Sequence, residues 1–299
     1  MIDTPDEHRW RRLFADVSPG SQVVAVCPLA GGVSAETVVM DVISPDGLPA
    51  RVVGRRHGAA DLARNPQIAW DEFRLLNALH AANVPVPRGI GVSDAGLAPS
   101  PVLFIEHIAH EEAPAARRHA EEAARLLAMI HQRAPIEELT FLRQIGTNLP
   151  PAPDRMDHTL GERRIRSALA AVPPPQPGKR VVLHGDFWPG NLLWNAAGQA
   201  MAIDWEDAAL GDPLYDLANA RLEWRLAFNA RSASRFTQIY QQRTDCSLEP
   251  LPWWDLRAAL KLCGKLGSFG LEPQIERRWR AKHRRFVDEA IAALSTSAQ

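Results

Sequence analysis

Two aspartates and an asparagine are spaced for chemistry in the middle of this chain. Residues 184–191 read HGDFWPGN, with four residues between Asp186 and Asn191 in a loop punctuated by Pro189 and Gly190. Apolar VVL leads in and apolar LLW leads out, followed by NAAG and AMAIDWED. The segment therefore reads as strand, loop, strand, turn and strand, and the returning hairpin brings Asp204 beside its own start. A carboxylate between apolar strands is costly without a partner. A hard cation such as Mg²⁺ takes carboxylate and amide oxygens and completes its shell with phosphate oxygens and water. Asn191 and Asp204 could hold it, which leaves Asp186 to accept a proton from a hydroxyl. Phosphoryl transfer requires that division of labour. The competing reading is a set of Asx turns and helix caps. It explains each residue singly but not the joint spacing.

The elements around this loop change character along the chain. SQVVAVCPLAGG and ETVVMDVIS are β-branched runs split by Gly31-Gly32, SPDG is a turn, and LPARVVGRR is a third strand candidate. IAWDEFRLLNALHAANV places Ile68, Phe73, Leu75, Leu76 and Leu79 on one helical stripe, which Pro85 and Pro87 close. PVLFIEHI is again strand-like. Residues 115–133 are rich in strong helix formers, VPPPQPG is a spacer, and from Leu214 onward the chain reads as helix. A small strand-rich lobe is expected over 1–107, and a larger helical lobe over 108–299.

Composition narrows the partners. The 299 residues carry a net charge of −1, with 46% hydrophobic and 23% charged residues. That balance gives no electrostatic reason to expect nucleic acid or an anionic membrane. No apolar run approaches the roughly 18 residues a spanning helix needs, and the charged start, MIDTPDEHRWRRLF, has no signal-peptide segment. Cys27, Cys246 and Cys263 are widely spaced and odd in number, which fits reduced thiols in a cytoplasm. The chain has 30 arginines and 4 lysines, and its first lysine is Lys179. No lysine of the first half can therefore bind a phosphate.

The protein kinase catalytic loop is H-R-D-x-x-x-x-N. His184-Gly185-Asp186-x4-Asn191, the IDWE that follows and GDPLYDLA at 211–218 together resemble the aminoglycoside phosphotransferase and choline kinase group of small-molecule kinases. The resemblance implies an α+β, bilobal protein kinase-like fold. Its N-lobe is a small antiparallel sheet with one helix, and its larger C-lobe is mainly helical. It implies ATP as phosphoryl donor, with GTP the other compatible nucleotide, together with Mg²⁺, a small-molecule hydroxyl acceptor, and a monomer or homodimer. Asp186 would be the catalytic base, with Asn191 and Asp204 the metal ligands and His184 and Asp216 structural. In LAGGVSAETVV, Gly31, Gly32 and Ser34 would cover the phosphates. Arg55 would replace the usual lysine on the phosphates, with Arg56 its neighbour, and Glu72 would hold that cation. Asp71 points in a different helical direction. The Glu106 carbonyl and the Ile108 N–H of VLFIEHI would meet the adenine.

The acceptor is less legible. From residue 217 onward 14 basic residues face 8 acidic ones, which is no sign of a polyamine site. Trp224 and LPWWDL could stack on a sugar or cage a quaternary ammonium, or they could be core. The absent lysine also admits a non-catalytic, nucleotide-binding pseudokinase.

Overall fold

Alternation builds the first sheet. The computed structural model describes residues 5–29, 35–176 and 178–297, and it divides into two compact units. The first comprises Met1–Glu111 with Glu137–Phe141. Its sheet contains β1 (Gln22–Pro28), β2 (Ala35–Ile43), β3 (Pro49–His57), β4 (Gly89–Ser93) and β5 (Val102–Glu106), in the order β1-β2-β3-β5-β4 with every pairing antiparallel. In β2, Val38, Met40 and Val42 all turn inward and are buried, as a period of two requires.

The first helix, α1 (Pro5–Val17), supplies Trp10, Leu13 and Phe14 to that face, at i, i+3 and i+4. Phe104 receives both aromatic rings edge-on, at 6.3 Å from Trp10 and 5.3 Å from Phe14. Gly54 pairs with Phe104 across the ladder, and a Cβ there would lie 2.7 Å from the Trp10 ring. Only glycine lets the helix approach so closely. On the opposite face, β3 directs Arg55 and His57 towards α3 (Ile68–Ala81), which follows the short α2 (Ala59–Arg64). The sequence reading gave this region one helix, α3, and the structure adds α1 and α2.

The second unit comprises Glu112–Ile136 and Leu142–Gln299. It opens with α4 (Ala116–Arg133), whose small apolar stripe through Ala120, Ala123, Ala124 and Leu127 is buried. Two small sheets follow. One has the order β6-β10-β7, formed by β6 (Gln144–Ile145), β7 (Val181–Leu183) and β10 (Ala209–Gly211). The other is the hairpin of β8 (Leu192–Trp194) and β9 (Ala200–Ala202). The remaining helices are α5 (Glu162–Ala170), α6 (Pro213–Ala227), α7 (Ala230–Arg243), α8 (Leu251–Ala259) and α9 (Pro273–Ser297). Asp212 caps α6 by accepting from the Leu214 N–H at 2.8 Å, with Pro213 at the first helical position. Trp224, Trp253 and Trp254 are all buried, so the structure makes them core residues.

Candidate functional site

The loop after β7 is shaped by its glycine and pinned from beneath. Gly185 has φ +84°, and a Cβ there would stand 2.1 Å from the Asp207 carbonyl oxygen. No other residue fits that turn. The N–H groups of His184 and Gly185 donate to the two oxygens of Asp216, at 2.7 and 3.0 Å. His131 lies 3.3 Å from the same carboxylate through Nε2, and its Nδ1 is 2.7 Å from the Tyr240 hydroxyl. Burial alone would raise the Asp216 carboxyl, but hydrogen bonding to His131, the charge of His131 and the His184 N–H outweigh it and pull it down.

His184 is wholly buried between Trp205 and Phe187, with ring centroids at 4.5 and 5.5 Å. Its Nε2 reaches the Ile203 carbonyl at 3.0 Å, and its Nδ1 faces the Asp186 N–H at 3.4 Å. That pattern requires a neutral ring with the proton on Nε2. Burial works the same way, holding His184 below its ordinary pKa against the nearby carboxylates. His184 and Asp216 thus brace the loop without presenting a group to it.

Asp186 itself is held from two sides. The Asn191 amide nitrogen donates to the Asp186 carbonyl at 2.9 Å and to its Oδ2 at 3.3 Å. Lys261 brings Nζ to 2.9 Å from Oδ1 and to 3.2 Å from the Gly185 carbonyl. Lys261 lies in the 3₁₀ turn Leu260–Leu262 that extends α8, and sequence reading missed it. Its rarity was the available signal, as one of 4 lysines in a chain that otherwise uses arginine. Burial opposes its charge, yet Asp186, Tyr215 and Glu223 hold the ammonium above its ordinary pKa. Glu223 of α6 is a half-buried carboxyl pushed up to about 7, chiefly by burial, with Asp186 adding to the rise and Lys261 opposing it.

The hairpin returns Asp204 as its strands dictate. Leu192 pairs with Ala202, and the Ile203 N–H donates to the Asn191 carbonyl at 3.0 Å. Asp204, next in the chain, has φ +67°, in the left-handed region where aspartate is one of the few tolerated side chains. Backbone held there costs on the order of 1–3 kcal/mol and is typical of functional sites.

In the first unit, Arg55, His57 and Glu72 form a buried polar cluster. Arg55 donates to Glu72 Oε1 at 3.1 Å, and His57 Nε2 lies 2.8 Å from Oε2. Arg55 is 8% exposed, Glu72 3% and His57 1%. Arg56 points elsewhere and pairs with Glu36 at 2.6 Å, a carboxylate that also receives Arg9 at 2.7 Å. Asp71 faces away from the cluster and accepts from Asn65 at 2.9 Å. His57 was missed in the sequence, although its position two residues after Arg55 on one strand face was the signal. Glu106 ends β5 and is exposed, and half-buried Ile108 follows it. Gly31, Gly32 and Ser34 lie outside the described residues.

Residues 25–251 match the phosphotransferase enzyme family, and the chain belongs to that family. Curated relatives include homoserine kinase of Pseudomonas aeruginosa, 31% identical over 168 residues, or 51% of this chain and 52% of that one. The chain thus spans about half the length of the curated relatives it matches. Solved structures share the fold across nearly the whole length. Aminoglycoside phosphotransferase APH(4)-Ia with AMP-PNP and hygromycin B has TM-score 0.62 and 16% identity, covering 97% of this chain and 99% of that one. Choline kinase LicA from Streptococcus pneumoniae has TM-score 0.57 and 17% identity, covering 98% and 100%. An aminoglycoside 2'-phosphotransferase-IIIa mutant in its GDP complex has TM-score 0.59 and 14% identity, covering 97% of each chain. The chain accordingly has an α+β, protein kinase-like fold within the phosphotransferase enzyme family. No helix among the described residues is long and apolar enough to cross a membrane.

Proposed function

We propose that this protein transfers the γ-phosphoryl group of ATP, or of GTP, to a hydroxyl of a small molecule that is aminoglycoside-, choline- or sugar-like. Homoserine, the amino alcohol named in the relatives, joins that set. The supporting observation is Asp186, fixed between the Asn191 amide and the Lys261 ammonium on a loop pinned by Asp216. The acceptor hydroxyl gives its proton to Asp186 as its oxygen bonds to the γ-phosphorus. The bond from phosphorus to the bridging oxygen breaks, and the nucleoside diphosphate leaves with that electron pair.

The Asn191 amide nitrogen is committed to Asp186, which leaves its Oδ1 as the atom that would hold a cation. Asp204, carried one residue past the Ile203 contact, supplies a carboxylate from the same hairpin end. Amide plus carboxylate fits Mg²⁺, which would neutralise charge on the phosphates when bound. Among the described residues no three or more His, Cys, Asp or Glu side chains gather as a metal site. The remaining ligands would then be phosphate oxygens and water. Arg55 meets the α- and β-phosphates from the hold of Glu72, Gly31, Gly32 and Ser34 cover them, and the Glu106 carbonyl and Ile108 N–H take the adenine. Residues 1–107 form the nucleotide lobe and 108–299 the catalytic and acceptor lobe of a cytoplasmic monomer or homodimer. Nucleic acid and membrane are not partners in this reading.

The test is Mg²⁺-dependent turnover of ATP against a panel of aminoglycosides, amino alcohols and sugars. A phosphorylated product is expected with at least one acceptor. Asp186→Asn should lower its rate by roughly 10²–10⁴-fold, the range for a general base. Equal rates for the two proteins would remove Asp186 from the chemistry. Arg55 in place of lysine favours one other reading, a catalytically weak nucleotide-binding pseudokinase. Calorimetry showing Mg²⁺-dependent nucleotide binding without turnover on any acceptor would establish it.

A further inference from the structure

We infer that Lys261 is a positioning residue for the acceptor step, fixing which oxygen of Asp186 receives the proton. The inference rests on the reading of Asp186 as the base.

One ammonium makes two contacts, 2.9 Å to the side-chain oxygen Oδ1 and 3.2 Å to the backbone carbonyl of Gly185. Lys261 therefore ties the Asp186 carboxylate to the backbone of its own loop, at a residue with φ +84°. Asn191 makes the matching pair of contacts from the other side, with only a long 3.3 Å approach to Oδ2. The charge-assisted bond occupies Oδ1 firmly. Oδ2, with the weaker neighbour, is the oxygen left for a hydroxyl proton.

The lysine is carried on a stiff support. Leu260 and Leu262 on either side of it are buried. Wholly buried His283 of α9 reaches the Ala259 carbonyl at 3.0 Å, just before the turn. The other nearby carboxylate, Glu223, lies outside ion-pair distance of Lys261 among the described residues, so the ammonium is committed to Asp186.

Stability does not explain this arrangement. The Lys261 and Asp186 side chains are 36% and 41% exposed, and pairs that open to water contribute about 0–1 kcal/mol. Position is what the contact supplies. Misplacing a reacting group by about 1 Å can lower a rate by roughly 10²-fold.

The experiment is a kinetic double-mutant cycle on the full chain with whichever acceptor is turned over. K261M should lower kcat by roughly 10- to 100-fold and leave the nucleotide KM within about twofold, and K261R should recover most of the loss. In the D186N background K261M should have no further effect, because the two residues act as one unit. Additive losses, or a kcat for folded K261M within about twofold of the parent, would overturn the inference. A nucleotide KM that rises in step with the loss would overturn it too, by placing Lys261 on the nucleotide. Circular dichroism checks folding, and K261Q is judged by the same criteria if K261M does not fold. A parent that binds nucleotide but transfers to no acceptor sinks the base assignment and this inference together. An active parent with an indifferent K261M sinks the inference alone.

Discussion

Two cation–carboxylate clusters use similar groups to different ends. In the first unit, Glu72 is nearly sealed from water and takes Arg55 and His57, which sit two residues apart on one strand. In the second, the Asp186 side chain is 41% exposed, and its cation, Lys261, arrives from 75 residues further along. Breaking a buried pair strands a charge and costs about 3–5 kcal/mol. Breaking an open pair costs about 1 kcal/mol or less. Burial therefore decides whether a cluster is felt in folding or in turnover. The sharpest way to break the comparison is to truncate both carboxylates. Glu72→Ala should lower unfolding stability by about 3–5 kcal/mol, because it leaves Arg55 and His57 inside without their shared acceptor. Asp186→Ala should change stability by about 1 kcal/mol or less while removing turnover. Urea titrations of the two variants give both numbers, and equal stability losses would erase the distinction.

The same contrast explains what could be read from the sequence. Arg55 and Glu72 were legible through the family resemblance, and a strand and the second helix after it bring the two together 17 residues apart. The β2 strand was legible as the β-branched run ETVVMDVIS. The Asp186, Asn191 and Asp204 spacing was legible because one loop and one hairpin carry all three residues. Lys261 was not, since no local pattern encodes a contact across 75 residues. β6 and β10 run to two and three residues, too short for a period of two to register. In α1 the apolar triplet Trp10, Leu13 and Phe14 lies among arginines and acids, and the sheet it packs on supplies most of its stability.

Glu223 sharpens the comparison from the other direction, as a half-buried carboxyl that makes no ion pair among the described residues. Its pKa is raised from 4.5 to about 7 in the folded chain. Between those values the folded protein holds a proton that the unfolded chain gives up. Stability contributed by that proton is present below pH 4.5 and is lost as the pH rises through 7. After discounting for partial exposure, the fall is on the order of 1–2 kcal/mol. Thermal melts of parent and Glu223→Gln between pH 5 and about pH 8 isolate it, since the amide cannot titrate. Parallel curves for the two proteins would show that Glu223 keeps an ordinary affinity for its proton.

The smallest expected effect separates two neighbouring arginines. Arg55 is sealed against Glu72, whereas Arg56 shares Glu36 with Arg9 near the end of the β2–β3 ladder. The Arg56 and Glu36 side chains are 26% and 33% exposed, so water screens the pair and Arg9 still serves Glu36 after Arg56 is gone. Arg56→Ala should therefore cost about 0.5 kcal/mol or less and leave the nucleotide KM unchanged. Arg55→Ala should raise that KM, because a guanidinium held on a buried carboxylate is fixed in direction where a partly exposed arginine is not. Steady-state nucleotide titrations on both variants decide the matter. If Arg56→Ala raises KM as much as Arg55→Ala, burial beside Glu72 is not what qualifies an arginine to replace the missing lysine, and the phosphate role passes to the edge of the strand.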